Sequence, residues 1–264
     1  MNYSNTNDSP LQLEFQQGIA IISINRPGKK NAMTADMMNS LPAILADLSG
    51  DPEIRCIILT GKNGDFCSGG DLSTALIPDV GFEEKDFRKT FSKRQQASYL
   101  LNQMQKPTIA LVDGIAAGAG LSLALACDIR IASDRARFYT AFVNVGVSGD
   151  FGVTWLLPKL VGIAKAKELM FTGDTIDAAY AMSIGMVNRT VPQEELMYVG
   201  HSLAHKMARK PPHAIKVMKK NLNSCHDLDL NEVLEIEGKC SVDLLMTRET
   251  QEIIDGFLNK RSRK

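Results

Sequence analysis

Apolar and polar positions alternate from Leu11 to Phe15, and a continuous apolar run covers residues 19–24, with Gln17-Gly18 between them. Alternation marks a half-exposed strand and the continuous run a buried one, so the chain opens on a β-hairpin. Pro27-Gly28 ends the second strand. Thr34 then caps a helix whose Met37, Met38, Leu41, Ile44, Leu45 and Leu48 share one face, ending near Ser49-Gly50. Residues 54–60 are too apolar for a half-exposed strand and read as a buried parallel one. A Gly-rich loop follows over 61–72. Mixed charges with scattered apolar residues over 82–105 predict a helix, preceded by a mobile loop at 77–81 and stopped by Lys106-Pro107. Two more strands, 108–112 and 128–132, flank a helix over 118–126 whose Ala119, Ser122, Ala124 and Ala126 permit close packing. Helical spacing returns at 153–160, 164–171 and 177–183, the last with Gly185 beyond its end. From Glu194 onward the pattern is helical, with Leu230, Val233, Leu234, Leu244 and Leu245 on a long amphipathic segment. Strands alternating with helices give an α/β fold, and a helical tail suits packing or assembly.

Bulk composition narrows the function classes. A chain of 264 residues can bury a full core. Thirty basic residues balance thirty acidic ones, which leaves no electrostatic footprint for nucleic acid or anionic membrane. The basic run Lys206, Arg209, Lys210, Lys216, Lys219 and Lys220 lacks interleaved aromatics and reads as a solvated helix face, with RNA binding the sharper alternative. Five cysteines, Cys56, Cys67, Cys127, Cys225 and Cys240, are widely spaced without a CxxC pair, so reduced thiols in a cytoplasmic protein are expected. Residues 1–10 read as a short disordered lead and not a targeting signal. No apolar run approaches the roughly 18 residues that span a bilayer.

Candidate chemistry concentrates between Thr108 and Thr154. There the run Ala116-Ala117-Gly118-Ala119-Gly120 opens a helix, and Val145-Gly146-Val147-Ser148-Gly149-Asp150-Phe151-Gly152 follows the next strand. A glycine turn at a helix N-terminus leaves backbone N–H groups free at the positive end of the helix dipole, which suits developing negative charge. Asp150, alone among small residues, is the acid to work beside it. An apolar neighbourhood of Phe142, Val147 and Phe151 would raise its pKa. The alternative is that Asp150 is only the N-cap of the helix that follows. Asp128 reads as a turn anchor, and Tyr139 and Ser122 as packing or helix-bonded hydroxyls. His201 and His205 have the i, i+4 spacing of a zinc pair but no third ligand, so no metal is expected. Gly61-Lys62-Asn63-Gly64 lacks the spacing of a P-loop, and Gly118-Ala119-Gly120 lacks the third glycine of a dinucleotide fingerprint.

Several motifs in order carry a resemblance. They are Asn25-Arg26-Pro27 with Asn31-Ala32, Asp65-Phe66-Cys67-Ser68-Gly69-Gly70-Asp71-Leu72, Lys106-Pro107 through Gly120, Ala126-Cys127-Asp128-Ile129-Arg130, and Thr172-Gly173-Asp174 with Gly185-Met186-Val187. Together they resemble the crotonase (enoyl-CoA hydratase/isomerase) superfamily from about residue 11 to the Phe257-Leu258-Asn259-Lys260-Arg261 end. The resemblance implies a spiral of ββα units over 11–195 and a helical trimerisation region over 196–264, assembled as a homotrimer or dimer of trimers. It implies an acyl-CoA thioester substrate, with coenzyme A as part of the substrate and no separate cofactor. The thioester carbonyl would sit between the N–H groups of Gly70 and Ala119, each donor contributing roughly 3 kcal/mol to an enolate. Coenzyme A would be held around Ala32, Ser68, Asp71 and Leu72, with Lys29 or Lys30 near its phosphates. Lys260, with Phe257, would reach the nucleotide of its own or a neighbouring subunit.

Departures from the family pattern matter most for the reaction. Family hydratases use two glutamates, and by spacing these fall on Ser122 and Phe142. What remains is Asp150, where resembling isomerases carry a lone aspartate. One carboxylate suffices to move a proton between the α and γ carbons of an enoyl thioester, so an isomerase is expected. The alternatives are a hydratase, and a homologue without chemistry that binds acyl-CoA or RNA. Residues 76–100 resemble the variable wall of the acyl pocket. Their Ile77, Val80, Phe82, Phe87, Phe91 and Tyr99 suggest a large apolar acyl group.

Overall fold

The computed structural model describes residues 9–75 and 83–261, without the side chains of His226, Lys260 and Arg261. Residues 1–8 of the expected lead at 1–10, the loop at 77–81, and Ile77, Val80 and Phe82 lie outside the described residues. The chain divides into two compact units, Met1–Ala208 and Arg209–Lys264.

In the first unit, β1 (Leu11–Gln16) and β2 (Ile19–Ile24) form the predicted antiparallel hairpin. Its turn places Gln17 and Gly18 both at positive φ, 49° and 79°, as a two-residue turn between twisted strands requires. Next, α1 (Ala35–Gly50) starts where the Thr34 hydroxyl accepts the Met37 N–H. Then come β3 (Cys56–Gly61), α2 (Glu84–Gln103), β4 (Thr108–Val112), β5 (Ile115–Ala117), α3 (Ala119–Ala126), β6 (Ile129–Ser133) and β7 (Arg137–Tyr139). A short 3-10 helix, Phe142–Val145, precedes α4 (Val153–Val161) and α5 (Ile163–Thr172). The unit closes with β8 (Ile176–Asp177), α6 (Ala178–Ser183), β9 (Arg189–Val191) and α7 (Leu196–Ala208).

Six strands make one sheet in the order β1-β2-β3-β4-β6-β9, parallel except for β1. A smaller sheet, β5-β7-β8, is absent from the sequence-based prediction. Its strands have two or three residues, too few for periodicity to register. Alternate residues of the large sheet enter two separate clusters, which explains the continuous apolar runs. Ala20, Ile22, Ile57, Leu59, Ala110 and Val112 join the cluster that includes α1, α2 and α3 residues. Ile19, Ile21, Cys56, Ile58, Ile109 and Leu111 join that of α7's Leu196 and Ala204. Contact with α7 is close at Gly200, where an added Cβ would lie 2.4 Å from Leu111 Cδ1. Asp128 anchors β4 as expected, its carboxylate accepting the Thr108 N–H at 2.8 Å.

The second unit contains α8 (Pro212–Ser224), α9 (Leu230–Leu245) and α10 (Arg248–Arg261). Asp229 and Glu232 close a capping box at the start of α9. Met218, Leu222, Leu230, Leu234, Val242 and Leu245 are exposed on the chain. The basic run is not wholly solvated: Lys219 is buried, with its aliphatic stem inside the packing. Among the described residues no helix is long and apolar enough to cross a membrane.

Candidate active site

The site is built where two loops meet at the start of α3. Gly118 occupies φ 50°, ψ −126°, a conformation open essentially to glycine, and it turns the chain from β5 into α3. All eight residues of α3 are buried. Facing this turn is the 65–71 loop, stitched to β5 by backbone bonds from Cys67 N–H to Ile115 O and from Ala117 N–H to Cys67 O, both 2.9 Å. On its other side Met33 N–H donates to Gly69 O, and Asp71 N–H to Met33 O, each at 2.8 Å.

Glycines set how close the loops come. A Cβ on Gly120 would fall 2.3 Å from Cys67 O, and one on Gly69, at φ 100°, 3.1 Å from Ala117 O and 3.7 Å from Ala119 N. Gly69, the neighbour of Gly70, is thereby brought against Ala117 and Ala119. Among the described residues neither the Gly70 nor the Ala119 N–H donates to a protein acceptor. Cys67 beneath them is no nucleophile, since burial pushes its thiol up to about 12.

Asp150 lies across the same turn. Ser122 Oγ, one turn into α3, is 3.1 Å from both Gly118 O and the backbone carbonyl of Asp150. The N-cap alternative for Asp150 is not what the structure contains. The cap of α4 is Gly152, without a side-chain cap bond, and Asp150 Oδ1 is buried with no hydrogen-bond partner among the described residues. Burial raises the carboxyl to about 6. Of the three apolar neighbours expected, Phe142 and Phe151 are buried while Val147 is exposed. Phe142 packs beside the glycine turn, its Cε1 3.9 Å from a Cβ built on Gly118.

Most residues expected to hold coenzyme A lie on the 65–72 loop and on the 26–32 turn bonded to it. Asn31, buried at φ 56°, accepts the Arg26 N–H and donates to Lys62 O and Asp65 O. This fixes the 26–32 turn, on which Lys29 and Lys30 are exposed, and Ser68 N–H donates to Lys30 O at 3.0 Å. Arg26 bonds both Ala32 O and Asp71 Oδ2. The Ser73 hydroxyl and the Arg26 guanidinium hold Asp71 down to about 2, so its carboxylate braces the loop, while its backbone is bonded to Met33, Thr74 and Ala75. Leu72 is exposed. Ser68, Asp71 and Leu72 share the loop of Gly70, and Lys29, Lys30 and Ala32 lie on the turn bonded to that loop. Phe257 is an exposed residue of α10 in the second unit, and the Lys260 side chain lies outside the described part.

Sequence reasoning missed Gln95, whose Oε1 accepts the Phe151 N–H at 3.1 Å from α2. Its helix presents Arg94, Ala97, Ser98 and Leu101 inward and carries the Phe87–Phe91 pair, ring centroids 6.0 Å apart. Tyr99, expected in the acyl wall, is exposed. His201 and His205 sit on α7, and no group of three or more His, Cys, Asp or Glu suited to a metal occurs among the described residues.

The family profile described as enoyl-CoA hydratase/isomerase matches residues 14–264. The chain is 33% identical over 254 residues to the short-chain-enoyl-CoA hydratase of Clostridium acetobutylicum, covering 94% of each. It is also 33% identical over 253 residues to the 1,2-epoxyphenylacetyl-CoA isomerase of Escherichia coli, again covering 94% of each. The crystal structure of an enoyl-CoA hydratase from Bacillus anthracis superimposes with a TM-score of 0.88 at 29% identity, covering 96% of this chain and 97% of that one. The chain therefore belongs to the enoyl-CoA hydratase/isomerase (crotonase) family.

Proposed function

We propose that the protein is an enoyl-CoA isomerase, moving the double bond of an enoyl thioester by a proton shuttle through Asp150. The observation that carries this reading is the buried Asp150 Oδ1, without a partner among the described residues, on a segment that Ser122 ties to the glycine turn opening α3. Its ionised form removes a proton from the α or γ carbon, and the electron pair moves onto the thioester oxygen. Gly70 and Ala119 N–H groups stabilise that oxyanion, and the same carboxyl returns the proton to the other carbon. No water enters the balance.

Hydration in the style of the family needs a second acid, and the two positions that would supply it argue against one. Ser122 spends its hydroxyl on backbone carbonyls, and Phe142 is apolar and packed. Coenzyme A is read onto the 26–32 turn and the 65–72 loop, at Lys29, Lys30, Ala32, Ser68, Asp71 and Leu72. The exposed apolar side chains of the second unit support assembly as a trimer or a dimer of trimers.

The deciding assay offers the purified enzyme 3-enoyl- and 2-enoyl-CoA separately and resolves products by mass. Conversion of 3-enoyl- to 2-enoyl-CoA at equal mass supports the isomerase. Rapid gain of one water from the 2-enoyl substrate would replace it with a hydratase.

A further inference from the structure

We propose that Gln95 and Ser122 are positioning residues that grip a single peptide unit, Asp150–Phe151, from two helices and so aim the Asp150 carboxylate. The proposal rests on the reading of Asp150 as the proton shuttle. The carbonyl of that peptide lies 3.1 Å from Ser122 Oγ on α3, and its N–H donates to Gln95 Oε1 on α2 at 3.1 Å. The segment needs holding: Gly149, Phe151 and Gly152 all have positive φ, 113°, 49° and 82°, and for a bulky residue such as Phe151 this is an unfavourable conformation. Rotation of this peptide would swing Asp150 away from its place, because the flanking dihedrals set the direction of its side chain.

Each grip also leads back to one half of the proposed oxyanion site. Ser122 contacts Gly118 O, which precedes Ala119. Next to Gln95, Arg94 donates to Ala75 O at 2.9 Å, and Ala75 N–H donates to Asp71 O, which follows Gly70. Polar bonds thus tie the helices that hold the Asp150–Phe151 peptide to the segments that carry Gly70 and Ala119. No ionisable side chain on α3 faces Asp150, and Arg94 on α2 is committed to Ala75 and to Asn39 Oδ1. Local charge thus leaves burial as the influence on the carboxyl.

The test compares Gln95→Ala, Ser122→Ala, Gln95→Glu and Asp150→Asn with wild type. It reads turnover of 3-enoyl-CoA, affinity for a saturated acyl-CoA, and titration of the Asp150 carboxyl carbon by NMR. Gln95→Ala and Ser122→Ala should each lower kcat about 10- to 100-fold, with acyl-CoA affinity held within about threefold. In both, the Asp150 titration should move from about 6 toward 3.8 as the freed loop admits water. Gln95→Glu keeps an acceptor for Phe151 N–H but adds negative charge, so it should recover part of kcat and titrate Asp150 above wild type. Unchanged kcat and titration in both alanine variants, alongside an inactive Asp150→Asn, would overturn the grip while leaving the base in place. Loss of kcat matched by equal loss of acyl-CoA affinity would also overturn it. Full activity in Asp150→Asn would remove the shuttle and the grip with it.

Discussion

Replacing Asp150 by Asn should make the protein more stable above neutral pH while taking away its activity. A carboxyl raised from 3.8 to about 6 in the folded chain binds a proton more tightly there than when unfolded. The folded state is therefore favoured most below pH 4, loses stability as pH rises from 4 to 6, and stays lower above that window. A shift of roughly 2 units at 1.36 kcal/mol each corresponds to about 3 kcal/mol, and to about 2–3 for a side chain still partly open to solvent. Asn carries no charge to desolvate, so its advantage over Asp should grow by that amount between pH 3 and pH 8. In thermal unfolding this is a difference in Tm that widens by about 5–10 °C for a unit of this size. The assay is a melting series of both proteins across that pH range, at matched concentration and salt. A Tm difference that is flat with pH would show that the carboxylate is solvated or paired, and the proposed base would lose its physical rationale.

Other perturbations probe neighbouring parts of the site. The rate profile kcat/KM should rise with pH through about 6 as Asp150 ionises, and a limb near 4 would point to an ordinary exposed carboxylate. Gly120→Ala drives a methyl into Cys67 O, built at 2.3 Å, and should part the Gly70 and Ala119 loops. A loss of about 100-fold in kcat and about 1–3 kcal/mol in stability is expected, and wild-type turnover would refute the close approach. Ser98 Oγ is buried without a partner among the described residues. Ser98→Ala should accordingly raise stability by about 1 kcal/mol in denaturant titration, whereas a comparable loss would expose a bond that the hydroxyl makes.

How much of this was readable in the chain depends on whether the cause was local. The hairpin at Gln17-Gly18, the Thr34 cap and the Gly118 turn are dictated by backbone conformations that a residue or two determine, so composition alone predicts them. The buried strands were legible because both sheet faces are covered. Asp150 stood out because Ser122 and Phe142 are not acids. What escaped is long-range. Gln95 is one amide on a charged helix, and only folding brings it to a peptide 56 positions away. The small β5-β7-β8 sheet is held by pairing across sequence-distant loops, such as the Cys67–Ala116 bridge, and leaves no repeat to read. Lys219 looked solvated because charge predicts exposure only until a stem is packed.

The most direct measurement is hydrogen exchange at the substrate's α and γ carbons, followed by NMR with 3-enoyl-CoA in heavy water for wild type and Asp150→Asn. Over repeated to-and-fro shifts the protonated Asp150 carboxyl exchanges with solvent, so deuterium should enter both positions with wild type, and neither with the variant at a matched binding level. Exchange continuing unchanged in Asp150→Asn would contradict the single-carboxylate shuttle.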